Sequence, residues 1–150
     1  AFKAMADVGV ATEDTWPYNP ALFKETPPSG VYAEAKRYRI YVYRRLADTQ
    51  EMMACLAAGF PCAISMAVYS NFFPLGGIQY LDKVPEGETP AGGHSVTLVG
   101  YQITPYSEGP AQVLFFAPNS WGPTWSRDGY FWVSEGYLKR CMWDAWMAEA

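Results

Sequence analysis

Histidine is the scarcest reactive residue in this chain, with a single copy, His94, among 150 residues. Cysteine is scarce too, at Cys55, Cys62 and Cys141 only. No two of these have metal-ligand spacing, and one histidine cannot complete a Cys/His zinc set, so no metal or other cofactor is expected. Three cysteines also exclude a dense disulfide framework, leaving room for one bridge at most. All three lie in apolar stretches, where a free thiol behaves as a small buried hydrophobe. Apolar runs of about 20 residues are missing, so no membrane-spanning helix is expected. Basic residues are outnumbered, 11 against 15 acidic ones, and the net charge is −4. Nucleic-acid binding needs the opposite balance. The chain opens without an initiator Met, a secretory signal or a capping Ser, Thr, Asp or Asn, which suggests that it starts inside an element of a longer protein.

What is abundant is apolar and aromatic. Half the residues are hydrophobic and 17% are aromatic, enough for one globular domain with a sizeable core. Phe2, Met5 and Ala6 share a helical face that Gly9 closes. Residues 10–34 hold Trp16-Pro17-Tyr18, Asn19-Pro20 and Pro27-Pro28, and read as a crossover and loop. From 35 to 45, Tyr38, Ile40 and Val42 alternate with Arg37, Arg39, Tyr41, Tyr43 and Arg45, predicting a half-buried strand with a solvated basic face. Asp48-Thr-Gln-Glu51 predicts a capping box opening a short helix with Met52, Met53, Leu56 and Ala57 inside and a stop at Gly59. Cys62–Tyr69 is almost wholly apolar and predicts a central strand. Residues 71–93 should be irregular. Ser95–Gln102 and Gln112–Ala117, linked by a turn at Tyr106–Pro110, predict a hairpin, and Gly129–Val133 a further strand. The tail from Tyr137 has weak helical character. These elements predict an α+β domain with about five strands, mostly antiparallel and curled towards a barrel.

Two segments carry chemistry. His94 follows Gly92-Gly93 at the start of a strand, where small residues permit close approach by a ligand. Asn119 lies between Pro118 and Trp121, after the apolar run Val113–Phe116. A carboxamide oxygen can accept the N–H of one imidazole nitrogen and leave the other facing a reactant. Taken singly, each residue has a plainer reading: a hydrogen-bonded structural histidine, and an asparagine bonding its own backbone in a turn.

Together the segments resemble a known family. Gly93-His94-Ser-Val-Thr-Leu-Val-Gly-Tyr101 is similar to the histidine segment of papain-like cysteine peptidases. Asn119-Ser-Trp-Gly-Pro-Thr-Trp-Ser-Arg-Asp-Gly-Tyr130 is similar to their asparagine segment, in the same order, and Gly9 through Tyr18 resembles their domain crossover. The resemblance implies the right-hand, barrel-like sheet domain of that fold over residues 35–150, with residues 1–9 a remnant helix of the left domain. It implies His94 as acid/base, Asn119 as its orienter and Trp121 as a shield. It also implies Gly93, Ser95 and Ser65 as substrate-pocket candidates, with Ser95 and Ser65 suggesting a somewhat polar or roomy pocket.

The family's Gln and Cys-Gly-Ser-Cys-Trp segments have no counterpart here. Cys55 falls mid-helix, Cys62 at a strand start and Cys141 after the asparagine, all unlike the family's nucleophile. The implied function is proteolysis of peptide or protein substrates, this chain supplying the His/Asn half and a second chain or precursor segment the cysteine. The alternative is a non-catalytic module that keeps the fold and has lost the nucleophile. Pro118 and Ser126 depart from the basic residue and glycine usual at those places. The tail ending Trp143-Asp-Ala-Trp146 looks more like bacterial or phage members than secreted plant ones.

Overall fold

The computed structural model describes residues 1–73, 79–105 and 111–150. Residues 1–43 with 148–150 form one compact unit, and residues 44–147 another.

In the first unit, α1 spans Phe2–Asp7 and gives way to Gly9, whose φ of 97° lies in the left-handed region. A Cβ at Gly9 would stand 1.9 Å from the Ala35 carbonyl oxygen, so only glycine lets the backbones pass. Asn19 caps a 3-10 turn at Pro20–Leu22 by accepting the Ala21 N–H at 3.0 Å. A second helix, α2 (Ser29–Ala35), forms where a loop was expected. Its start directly after Pro27-Pro28 is physically reasonable, because proline is tolerated at a helix entrance. Glu34 on α2 accepts from the Thr12 backbone N–H and hydroxyl, both at 3.3 Å. The strand expected over 35–45 contracts to β1 (Val42–Arg45). Tyr38 N–H donates to Ala35 O in a turn that closes α2, and of the alternating apolar set only Ile40 is buried. All four β1 residues are exposed, and β1 lies at the edge of its sheet.

The second unit begins with α3 (Thr49–Ala57). Asp48 caps it, its carboxylate accepting the Gln50 and Glu51 N–H groups at 2.9 Å each. Glu51 reaches back as a capping box predicts, although its partner is the Ala47 N–H, at 2.9 Å. Buried Met52 and Cys55 anchor the helix. The central strand is β2 (Cys62–Val68), which pairs antiparallel with β4 (Gly92–Leu98) and with β8 (Met142–Glu149), the latter across a bulge at Ser65/Met66. This sheet has the order β1-β8-β2-β4.

A second sheet contains β3 (Gln79–Leu81), β5 (Gly100–Thr104), β6 (Gln112–Pro118) and β7 (Tyr130–Ser134) in the order β3-β7-β6-β5, with β3 parallel to β7. The expected hairpin is present as β5 with β6. Its first arm is divided, however: the chain leaves the first sheet after Leu98 and enters the second at Gly100, and Val99 N–H donates to Phe116 O at the corner. The turn expected at Tyr106–Pro110 lies outside the described residues.

Ile64, Met66 and Leu98 meet Phe115, Phe131 and Val133 in one apolar core. Tyr137 and Leu138 of α4 (Glu135–Cys141) pack against it. Ser134 caps α4, accepting the Tyr137 N–H at 3.0 Å and donating to Asp82 O at 3.2 Å. The tail is therefore a short helix followed by an eight-residue strand, where weak helix was expected. Ala145 and Met147 alternate inward along β8, a period-two burial that favours a strand beside β2. The outcome is an α+β fold with two sheets and few helices, and no helix among the described residues is long and apolar enough to cross a membrane.

Glu135 ties α3 to α4. It accepts the buried Thr49 hydroxyl at 2.5 Å and pairs with Lys139 at 2.8 Å, and these contacts, Lys139 first, hold its carboxyl below the usual range. A depressed carboxyl pKa adds stability above the unfolded-state value and loses it as pH falls through the folded one. Glu135→Gln is expected to cost about 1 kcal/mol at neutral pH. In denaturant titrations the difference from the parent protein should vanish below the carboxylate range; a pH-independent difference would refute the ionic contribution.

Candidate active site

His94 is the third residue of β4, directly opposite the fully buried Met66 of β2. Strand alternation turns it to the same face as Val96 and Leu98, towards the core side. Asn119 follows the end of β6, where its backbone N–H donates to Gly129 O at 2.7 Å and so continues the ladder into the next segment. The two side chains meet: His94 Nε2 lies 2.9 Å from Asn119 Oδ1.

The orientation of both groups follows from a third contact. Ser120 N–H points at the same Asn119 oxygen, at 2.8 Å. A backbone N–H can only donate, so the amide atom facing it must be the oxygen. That oxygen can only accept, so Nε2 of a neutral His94 carries the hydrogen and Nδ1 keeps its lone pair. Nδ1 is thus the ring nitrogen that the Asn119 contact leaves free.

Aromatic side chains enclose the pair. Trp121 stands 5.4 Å from the His94 ring and is 40% exposed, so it forms the outer wall. The inner wall is Phe72, fully buried, with ring centroids 5.3 Å from His94, 5.1 Å from Trp121 and 5.2 Å from Trp125. Phe73 stacks on Trp121 at 5.7 Å and 18°. Neither phenylalanine was singled out from the sequence. They belong to the stretch expected to be irregular, where a 3-10 turn (Ser70–Phe72) delivers them; a large apolar pair inside a Gly/Pro-rich stretch was the available signal.

The loop that presents Asn119 and both tryptophans is wound tightly. Gly122, Ser126, Asp128 and Gly129 all have left-handed φ, at 86°, 52°, 54° and 81°. Ser126 therefore occupies a conformation that glycine would adopt without strain. Two buried donors here, Asn119 Nδ2 and Trp125 Nε1, have no hydrogen-bond partner among the described residues.

Ser65 and Ser95 are cross-strand partners, and their hydroxyls lie 3.2 Å apart. Alternation along β4 puts Ser95 and Gly93 on the face opposite His94. A Cβ at Gly93 would lie 2.6 Å from the Trp143 ring, so this glycine makes room for an indole that is itself 59% exposed. The three cysteines are free and buried. Burial, with help from the neighbouring Cys55 thiol, pushes Cys62 up to about 12. Burial raises Cys141 as well. No cluster of metal-ligating side chains occurs among the described residues.

Residues 1–148 match the family described as papain family cysteine protease. An uncharacterized peptidase C1-like protein of Acanthamoeba polyphaga mimivirus is 30% identical over 149 residues, covering 91% of this chain and 45% of that protein. A cathepsin B-like protease of Arabidopsis thaliana is 28% identical, covering 83% and 31% respectively. Among solved structures, xylellain, a cysteine protease from Xylella fastidiosa, superposes with a TM-score of 0.82 at 28% identity, covering 99% of this chain and 59% of that one. The chain thus spans less than half the length of these two sequence relatives.

Gly129 is where the loop is least tolerant. A Cβ there would lie 3.0 Å from Gly122 O, in addition to the left-handed φ, whereas Gly59 has a similar φ of 88° and open space. Gly129→Ala is expected to cost about 2 kcal/mol and Gly59→Ala about 1. Equal losses for the two variants in chemical denaturation would show that the close approach contributes nothing.

Proposed function

The chain belongs to the papain family of cysteine proteases, and from that premise we propose that His94 and Asn119 are the acid/base and its orienter in a peptide-hydrolysing site whose thiolate comes from outside these 150 residues. The observation that carries the reading is the shared Asn119 oxygen, which leaves His94 Nδ1 as the free nitrogen. In this reading Nδ1 takes the thiol proton, giving a thiolate beside an imidazolium. The thiolate attacks the scissile carbonyl, and Nδ1–H then protonates the departing amine. Asn119 keeps the ring in plane through both transfers. Trp121 and Phe72 exclude water from the His94–Asn119 bond, which strengthens it.

The chain's own thiols do not suit the nucleophile's role. A reactive cysteine needs access and a lowered pKa. Cys62 and Cys141 are buried and shifted the other way, and Cys55 is 5% exposed with its sulfur directed at Phe60 O. A second chain or a further segment of the same precursor then supplies the thiol and the oxyanion donors. Peptides or proteins are the substrates. The same buried thiols favour a second reading, a binding module that retains the fold without turnover.

An epoxysuccinyl peptide, which alkylates activated thiols, separates the two readings. On the native preparation, labelling of a cysteine outside this chain is expected by intact-mass analysis, with hydrolysis of a fluorogenic peptide. His94→Ala should abolish turnover, and Asn119→Ala should reduce it about 10- to 100-fold. Full turnover in the His94 variant would refute the assignment, and absence of both labelling and hydrolysis would establish the non-catalytic module.

A further inference from the structure

A second concave site lies on the opposite face of β7 from the His94 enclosure. Phe131 points inward to Phe72 and Trp125, so its neighbours Tyr130 and Trp132 point outward. On β6 the buried Phe115 and Ala117 likewise leave Phe116 facing outward. Phe116 and Trp132 are cross-strand partners with ring centroids 4.6 Å apart, and Phe116 stacks on Tyr130 at 4.9 Å and 13°. These three rings form one wall of a cavity of about 320 Å³, and Arg127 and Asp128 complete its lining. The left-handed φ of Asp128 and the bond from Tyr130 N–H to Arg127 O turn the chain sharply at this rim.

The lining constrains what can bind. Among the described residues, neither the Arg127 guanidinium nor the Asp128 carboxylate has a hydrogen-bond or ion-pair partner, so both keep their full capacity for a ligand. Their charges cancel, so an anion meets Asp128 and the negative ring faces, and the lining offers one strong acceptor and one strong donor side by side. An unbroken proline strand has no N–H to offer the carboxylate. The complementary guest is neutral, with one flat apolar face for the rings and hydroxyls that can both donate and accept.

We propose that the cleft bounded by Phe116, Tyr130, Trp132, Arg127 and Asp128 binds a neutral saccharide unit. The C–H face of the sugar ring packs on the aromatic wall. Asp128 accepts from two hydroxyls, and Arg127 donates to a third or to the ring oxygen. The volume matches the lower end of small-molecule sites. The site is independent of the peptidase reading, because it shares no side chain with the His94 enclosure.

Methyl glycosides of glucose, galactose, mannose and N-acetylglucosamine, with an oligoproline peptide as the competing class, are titrated against the full-length protein while the Trp132 indole N–H is followed by NMR. At least one glycoside should shift that signal saturably, with the same affinity in His94→Ala. Asp128→Asn, isosteric and tolerant of left-handed backbone, should weaken it about tenfold or more while the fold is retained. No saturable shift with any glycoside, an unchanged affinity in Asp128→Asn, or saturation by the oligoproline peptide alone would each overturn the proposal.

Discussion

One carboxamide oxygen organises the site of this protein. Asn119 Oδ1 receives two donors, the Ser120 N–H and the His94 ring, within 2.9 Å. The backbone donor is the decisive one, because it cannot change its role. It sets the amide, the amide sets the tautomer, and the tautomer decides which nitrogen is basic. A histidine with a hydroxyl or water for a partner would lack this chain of necessity, since those groups both donate and accept.

The oxygen can do this only if two strands from different sheets end beside one another. The chain passes from β4 to β5 through a corner at Val99, so His94 belongs to the first sheet while β6, which leads to Asn119, belongs to the second. Around the junction, Phe72 touches His94, Trp121, Trp125 and Phe131 at once. Such an apolar enclosure lowers the local dielectric and makes the His–Asn bond worth more than it would be in water. The cost falls on the backbone: a loop with four left-handed residues within eight positions, two of them not glycine, brings both tryptophans to the right place.

The same alternation that buries Phe131 sets Tyr130 and Trp132 on the far side of β7. The aromatic enclosure of His94 and the outer aromatic cleft are therefore served by two faces of one strand. Arg127 and Asp128 sit on the loop that also presents Asn119, but the outer cleft and the His94 enclosure share no side chain.

Much of this was legible in the residue order. The Asp48 cap, the apolar run of β2, and the Asn119 and His94 segments are local signals, in which each residue's neighbours in sequence are its neighbours in space. Other elements misled. The alternation over 35–45 looked like a half-buried strand, but alternation reports burial only where something covers one face, and all four β1 residues are exposed. The tail looked weakly helical, but β2 lacked a second partner and β8 took that place. What the sequence alone determined is the His94 and Asn119 segments, the tryptophans beside Asn119 and the family to which they belong. What only the tertiary structure decided is which imidazole nitrogen is free and that Phe72 stands behind it. Those facts depend on contacts between residues far apart in the chain, and no local pattern encodes such distances.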